Sequence, residues 1–377
     1  MFHTRSQVLL SLYAFLAAHA VLAGGPETRL VSEKPVEGRF VETPLGYMVP
    51  YQQRIPGSSE VIEMIPVSGG TIKLAELPSD ESYFEGKPPQ VEWPMQVSFQ
   101  PFWIGKYEIT MGQYMQYRRL YYAQRRTQRK LRERRRWKPP EQGTVDAVTA
   151  PSDVYDSAYH FEFASTNDSA AVSMSQYAAR HYTKWLSLLT HTDYRLPYRS
   201  EWQHACAAGS TGAFCFGDDP AKLDPFAVYF ESPEVPRKQF TTKVGRRRPN
   251  AWGLYDMHGN VSEFVIEDSA KTGLDFGHVA CGGDFNRDAV DCKATSVVRT
   301  DIDWWSDDPD FPMSPHWMTS DDARATGFRI ISPLGKLNPA ERQVAWEADT
   351  KRLEQDIESR LESGRGSIGR MSTDKPK

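Results

Sequence analysis

Four cysteines, Cys206, Cys215, Cys281 and Cys292, carry the most reactive chemistry in this chain of 377 residues. A thiolate is a nucleophile and a soft metal ligand, whereas an even set of thiols in an oxidising compartment can pair into disulfides, here in any of three connectivities. His258 invites a metal-ligand reading, but no second histidine or cysteine stands at ligand spacing around it, so it is read as a packing or hydrogen-bonding residue. His181 lies at the edge of an apolar helix face, where core packing accounts for it. The acidic pairs Asp307-Asp308 and Asp321-Asp322 are read as exposed turn acids, because adjacency alone does not place two carboxylates across a substrate. Phosphate-loop, nucleophile-elbow and dinucleotide-binding fingerprints are absent.

The elements that must position these residues are short. Val61 to Val67, followed by Gly69-Gly70, reads as a strand closed by a turn, and Val97 to Tyr107 as an aromatic-rich second strand. Thr110-Met111-Gly112-Gln113 has capping-box spacing, in which hydroxyl and amide satisfy two free backbone donors reciprocally and open a helix. A second such spacing, Ser173-Met174-Ser175-Gln176, predicts a core helix with Met174, Tyr177, Ala178, Tyr182, Trp185, Leu186 and Leu189 on one wide apolar face. Thr192 to Leu196 predicts a strand, Glu201 to Ala208 a helix stopped at Gly209, and loops with short strands follow.

Composition bounds the rest. With 40% hydrophobic and 25% charged residues the chain is neither disordered nor fibrous, and a net charge of −4 does not argue for nucleic-acid binding. A basic start at Met1 to Arg5, an apolar run from Val8 to Ala23 and the small residue before Gly24 predict a cleaved signal peptide over 1–23 and hence export; an uncleaved membrane anchor is the alternative. Residues 24–60 show no periodicity and are read as an extended leader, with the compact domain over 61–333. The Lys- and Arg-dense stretch 118–138 is either a solvated extension or a surface for an anionic partner. Residues 334–377 are read as a charged tail with a helix from Pro339 to Ser363.

The segments IGKYEITMGQY, TDYRLPYRSEWQHACAAGS, FCFGDD, RRPNAWGLYDMHGNVSEF, CGGDF and TGFRI, in that order from about Ile65 to Ile331, resemble the formylglycine-generating enzyme or sulfatase-modifying factor family. The resemblance implies an α+β fold, an irregular mixed α/β architecture related to C-type lectins with little regular secondary structure. The basic stretch 118–138 then becomes an insertion after the first family helix. The implied activity is an oxygen-dependent oxidase that converts a cysteine within a Cys-x-Pro-x-Arg peptide of a sulfatase to formylglycine, using copper(I) held between two cysteines. Soft thiolates suit copper(I).

Alignment on Gly282-Gly283 places Cys292 at the second copper-cysteine position and Arg287 at the first. Asp284 stands where a small hydroxyl residue is usual, and Ser262 where a tryptophan is usual. Cys281 is a conceivable replacement thiolate, although it precedes the glycine pair; disulfide or buried structural roles are the other readings for it and for Cys206 and Cys215. The resemblance also implies structural calcium, with carboxylates from Asp256 and Glu263 and carbonyl oxygens from Gly259 and Val261, a hard-oxygen set suited to that ion. A turn capped by Asp256 and Asn260 is the alternative. The His-x3-His-x-Glu motif of the related ergothioneine-forming branch is absent. Two functions remain in view: a divergent scaffold binding an extracellular protein, peptide or glycan, and an oxidase that retains Cys292.

Overall fold

The computed structural model describes residues 29–77, 92–117, 166–233, 241–269, 278–300, 325–349 and 354–355. The segment 1–23 expected to be a signal peptide, the basic stretch 118–138 and both acidic pairs lie outside them. Short strands, few helices and long connecting loops make an irregular α+β fold, as expected.

Four strands run through 29–60, which corrects the extended-leader reading. Strands β1 (Leu30–Val31), β2 (Val41–Thr43) and β3 (Gly46–Met48) form one small sheet, and β4 (Tyr51–Arg54) pairs antiparallel with β5 (Val61–Val67). These runs are too short for their alternation to register in a sequence window, yet Met48, Tyr51 and Ile55 are buried. Tyr51 shares a hydrogen bond of 3.1 Å with the Tyr194 hydroxyl, and Trp103 donates to the Val49 carbonyl at 2.8 Å. The second predicted strand divides into β7 (Met95–Phe99), paired with β6 (Gly70–Leu74), and β8 (Phe102–Gly105), which sits between β5 and β13 (Ile331–Pro333). A further four-stranded sheet runs in the order β11 (Val297–Arg299), β10 (Val279–Cys281), β9 (Ser262–Val265), β12 (Thr326–Gly327).

The capping box at Thr110 forms as predicted: the Thr110 amide donates to the Gln113 side-chain oxygen at 3.0 Å, and the Gln113 amide donates to the Thr110 hydroxyl at 3.3 Å. The second box is shifted by two residues. Ser175 caps α1 (Gln176–Thr190), accepting from the Ala178 amide at 3.1 Å, because Ser173 takes a left-handed φ of 61° and Gln176 reaches instead to the Val265 carbonyl. The expected apolar face is buried except Leu189, and His181 packs on the Tyr177 ring at 4.2 Å between centroids. Helix α2 (Arg199–Ala207) closes at Ala208 and Gly209, both with positive φ. Between the two helices Arg195 makes only an isolated bridge to Ile331 in place of the expected strand.

The polar face of α1 is buried as well, by the segment read as a tail. Helix α3 (Pro339–Trp346) is capped by Asn338 and ends where Glu347 turns extended, and residues 354–355, inside the span expected to be helical up to Ser363, are helical again. Leu337, Ala345 and Trp346 are buried. Arg180 of α1 pairs with Asp349, Lys184 pairs with Glu347 at 2.7 Å, and the Trp346 indole donates to the Tyr194 carbonyl at 2.9 Å. The compact unit therefore continues past residue 333, because two cations on α1 have their counter-charges there.

Candidate functional site

Adjacent residues of β9 build two polar centres. Consecutive side chains on a strand point to opposite faces, so Ser262 and Glu263 enter different surroundings.

Glu263 is completely buried and takes a two-pronged ion pair from Arg329: Nη2 donates to Oε1 and Nε to Oε2, each at 2.5 Å. Trp202 donates its indole N–H to the same Oε2 at 2.8 Å, and the remaining guanidinium hydrogens reach the Gly105 and Tyr255 carbonyls at 3.0 Å. Glu108 and Asp256 lie in the same buried centre. Glu108 accepts from Asn260 at 3.1 Å through Oε1, whereas its Oε2 is buried with no hydrogen-bond partner among the described residues. Burial, then the charges of Asp256 and Glu263, push the Glu108 carboxyl well above its ordinary range. Burial likewise pushes Asp256 up to about 6, although its Oδ2 accepts the Gly245 amide at 2.5 Å.

The expected calcium ligands do not fit the ion in this arrangement. Both oxygens of Glu263 are committed to Arg329, and the Gly259 carbonyl accepts the Val261 amide at 2.9 Å. Among the described residues no three acidic, histidine or cysteine side chains converge as a metal site. A guanidinium supplies the cation that Glu263 faces here, and calcium at Asp256, Gly259, Val261 and Glu263 stays an expectation of the resemblance. Asp256 instead takes a left-handed φ of 59° in a turn that it and Asn260 stabilise through hydrogen bonds.

On the other face Ser262 donates to Oδ2 of buried Asp284 at 2.9 Å. Asp284 Oδ1 accepts the Asn286 amide at 2.8 Å, and Arg287 Nε stands 3.6 Å from Oδ2. Arg287 is 33% exposed, so this centre reaches the surface where the other does not. The two positions where the resemblance leads one to expect other residue types, 262 and 284, thus meet in one hydrogen bond.

Cys292 is fully buried beneath this centre and donates to the Asp288 carbonyl at 3.4 Å. A Cβ on Gly283 would overlap its sulfur, so glycine there is what admits the thiol. Burial, followed by the charges of Asp284 and Asp291, pushes the Cys292 thiol far above its ordinary range. Cys281 belongs to the core cluster around Trp202, and Cys292 to the one around Phe214 and Tyr229. The residues present do not fit the two-thiolate copper(I) site that the resemblance implies: Cys292 is enclosed, and Arg287 stands at the other aligned position. All four cysteines stand as free thiols in this structure, three of them buried and Cys215 partly exposed.

His258 bears out its hydrogen-bonding reading. Its Nδ1 lies 2.8 Å from the Cys292 carbonyl and its Nε2 accepts the Cys215 amide at 3.0 Å, which fixes the proton on Nδ1. Burial lowers its pKa to about 4. Sequence reasoning missed Glu108 and Arg329, although both stand inside recognised motifs, IGKYEITMGQY and TGFRI. A carboxylate between Tyr107 and Ile109 and an arginine between Phe328 and Ile330 were the available signal.

The chain belongs to the sulfatase-modifying factor enzyme 1-like domain family, whose profile matches residues 52–307. No curated protein matches it. Solved structures similar to it include PvdO from Pseudomonas aeruginosa, at 22% identity and TM-score 0.45 over 72% of this chain and 94% of that one. Treponema denticola variable protein 1 is 16% identical with TM-score 0.47, covering 76% and 99% of the two chains. CarF is 20% identical with TM-score 0.40, covering 73% and 99%.

Proposed function

We propose that this protein is a divergent family member that binds an extracellular protein, peptide or glycan, and that it is not an oxygen-dependent formylglycine-generating oxidase. The observation that carries this reading is Arg287, ion-paired with buried Asp284 at the position where the resemblance implies a copper thiolate. A lone enclosed thiol leaves copper(I) without its second soft ligand, and metal affinity follows ligand count. What the centre offers instead is a partly exposed guanidinium oriented by a buried carboxylate, a donor array suited to polar recognition. The leading segment supports export, which puts the partner outside the cytoplasm. A sulfatase-like protein remains a candidate partner on family grounds, and the basic stretch 118–138 a second contact for an anionic one.

The test combines copper(I) competition on the reduced mature protein with oxygen consumption on a Cys-x-Pro-x-Arg peptide, with Cys292→Ser as control. The reading expects neither retained copper nor turnover. Turnover that vanishes in Cys292→Ser overturns it. Peptide and glycan arrays supply the positive arm: a ligand held by the wild type and lost in Arg287→Ala supports recognition at this face.

A further inference from the structure

We propose that Cys206 and Cys215 form a redox pair that closes to an intrachain disulfide when a small-molecule disulfide reaches Cys215. Both cysteines border one imidazole, Cys206 through its sulfur and Cys215 through its backbone amide. The Cys206 sulfur lies 3.7 Å from both ring nitrogens of His258, and the Cys215 amide donates to Nε2 of the same ring at 3.0 Å. Between them the chain reverses through positive φ at Ala208 and Gly209, and mutual backbone bonds between Phe214 and Gly217 hold the far side of the turn. After burial, Cys215 is the strongest influence raising the Cys206 thiol, ahead of Glu263 and Cys281.

Access selects Cys215 as the entry thiol, and the shared imidazole places Cys206 near it. Cys215 is partly exposed, while Cys206, Cys281 and Cys292 are buried, so Cys215 alone among the four can meet a solvent oxidant. The Cys215 thiolate attacks the small disulfide, forming a mixed disulfide and releasing one thiolate. The Cys206 sulfur then attacks the Cys215 sulfur and expels the second. Two protein thiols are oxidised and one small disulfide is reduced; the two protons lost by the protein end on the two released thiols. Burial pushes the Cys215 thiol up to about 11, so closure at neutral pH is slow and speeds roughly tenfold per pH unit below that value.

The experiment treats the full reduced chain with oxidised glutathione at about pH 8.5, where the thiolate fraction is larger. Remaining thiols are then alkylated in denaturant and peptides mapped without reduction. A peptide linking Cys206 to Cys215, two hydrogens lighter than the reduced pair, with Cys281 and Cys292 alkylated, is the expected result. Cys206→Ala is expected to stop at a stable glutathione adduct on Cys215, and Cys215→Ser to leave every remaining cysteine alkylatable, with native elution verified for each. A stable adduct on wild-type Cys215 beside an alkylatable Cys206, a Cys206 to Cys281 link, or four unreacted thiols each overturns the proposal.

Discussion

Ser262 and Glu263 are neighbours on one strand, yet one centre is sealed and the other reaches solvent. Around Glu263, Arg329 pairs with one carboxylate, and two more, Glu108 and Asp256, are buried nearby with their carboxyls pushed upward by burial. Around Ser262, a single buried carboxylate is shared by a hydroxyl and a half-exposed arginine. A dry ionic centre tolerates no change of charge, because a lost partner leaves an ion unsolvated. A centre with a solvated edge can exchange residues at small cost.

The comparison predicts its largest effect at Arg329. Arg329→Met should cost about 3–5 kcal/mol in urea unfolding, since it strands Glu263 beside two further acids; a loss below ~1 kcal/mol would remove the distinction between the centres. The next is pH dependence. Asp256 is raised to about 6 when folded, so its contribution is fully present below the unfolded carboxylate range and is lost as pH rises through about 6. His258, lowered to about 4, runs the other way: its contribution is present above the unfolded histidine value and lost as pH falls toward 4. Subtracting the two curves isolates the acid. The stability of the wild type relative to Asp256→Asn should fall by ~2–3 kcal/mol between about pH 4 and pH 7, and a flat difference would contradict a buried Asp256.

Gly283→Ala sharpens the picture on the other face. Its methyl meets the Cys292 sulfur, and overpacking of this kind costs about 1–3 kcal/mol; the double variant with Cys292→Ala should recover part of that loss. The smallest effects belong to the solvated edge. Ser262→Ala should cost ~1 kcal/mol for one hydrogen bond to Asp284, and Arg287→Ala should stay within ~0.5 kcal/mol in stability while weakening ligand capture. If Arg287→Ala destabilises as much as Arg329→Met, the two centres are alike and the surface reading fails.

Sequence alone determined the elements whose signals are local. The Thr110 capping box, strand β5 and the apolar face of α1 depend on spacing within a few residues, and the ordered motifs placed the chain in its family. Tertiary structure decided everything that depends on a distant partner. Strands β1 to β4 are two to four residues long and exist through pairing across the chain, so no window shows their period. Trp346 and the acids beside it look like a charged tail until Arg180 and Lys184, more than 160 positions earlier, supply their counter-charges. The spacing of Asp256 and Glu263 suits calcium in one dimension, and only folding brings Arg329 to both oxygens of Glu263. A carboxylate's role follows from the charge it faces, and that charge is assigned by the fold.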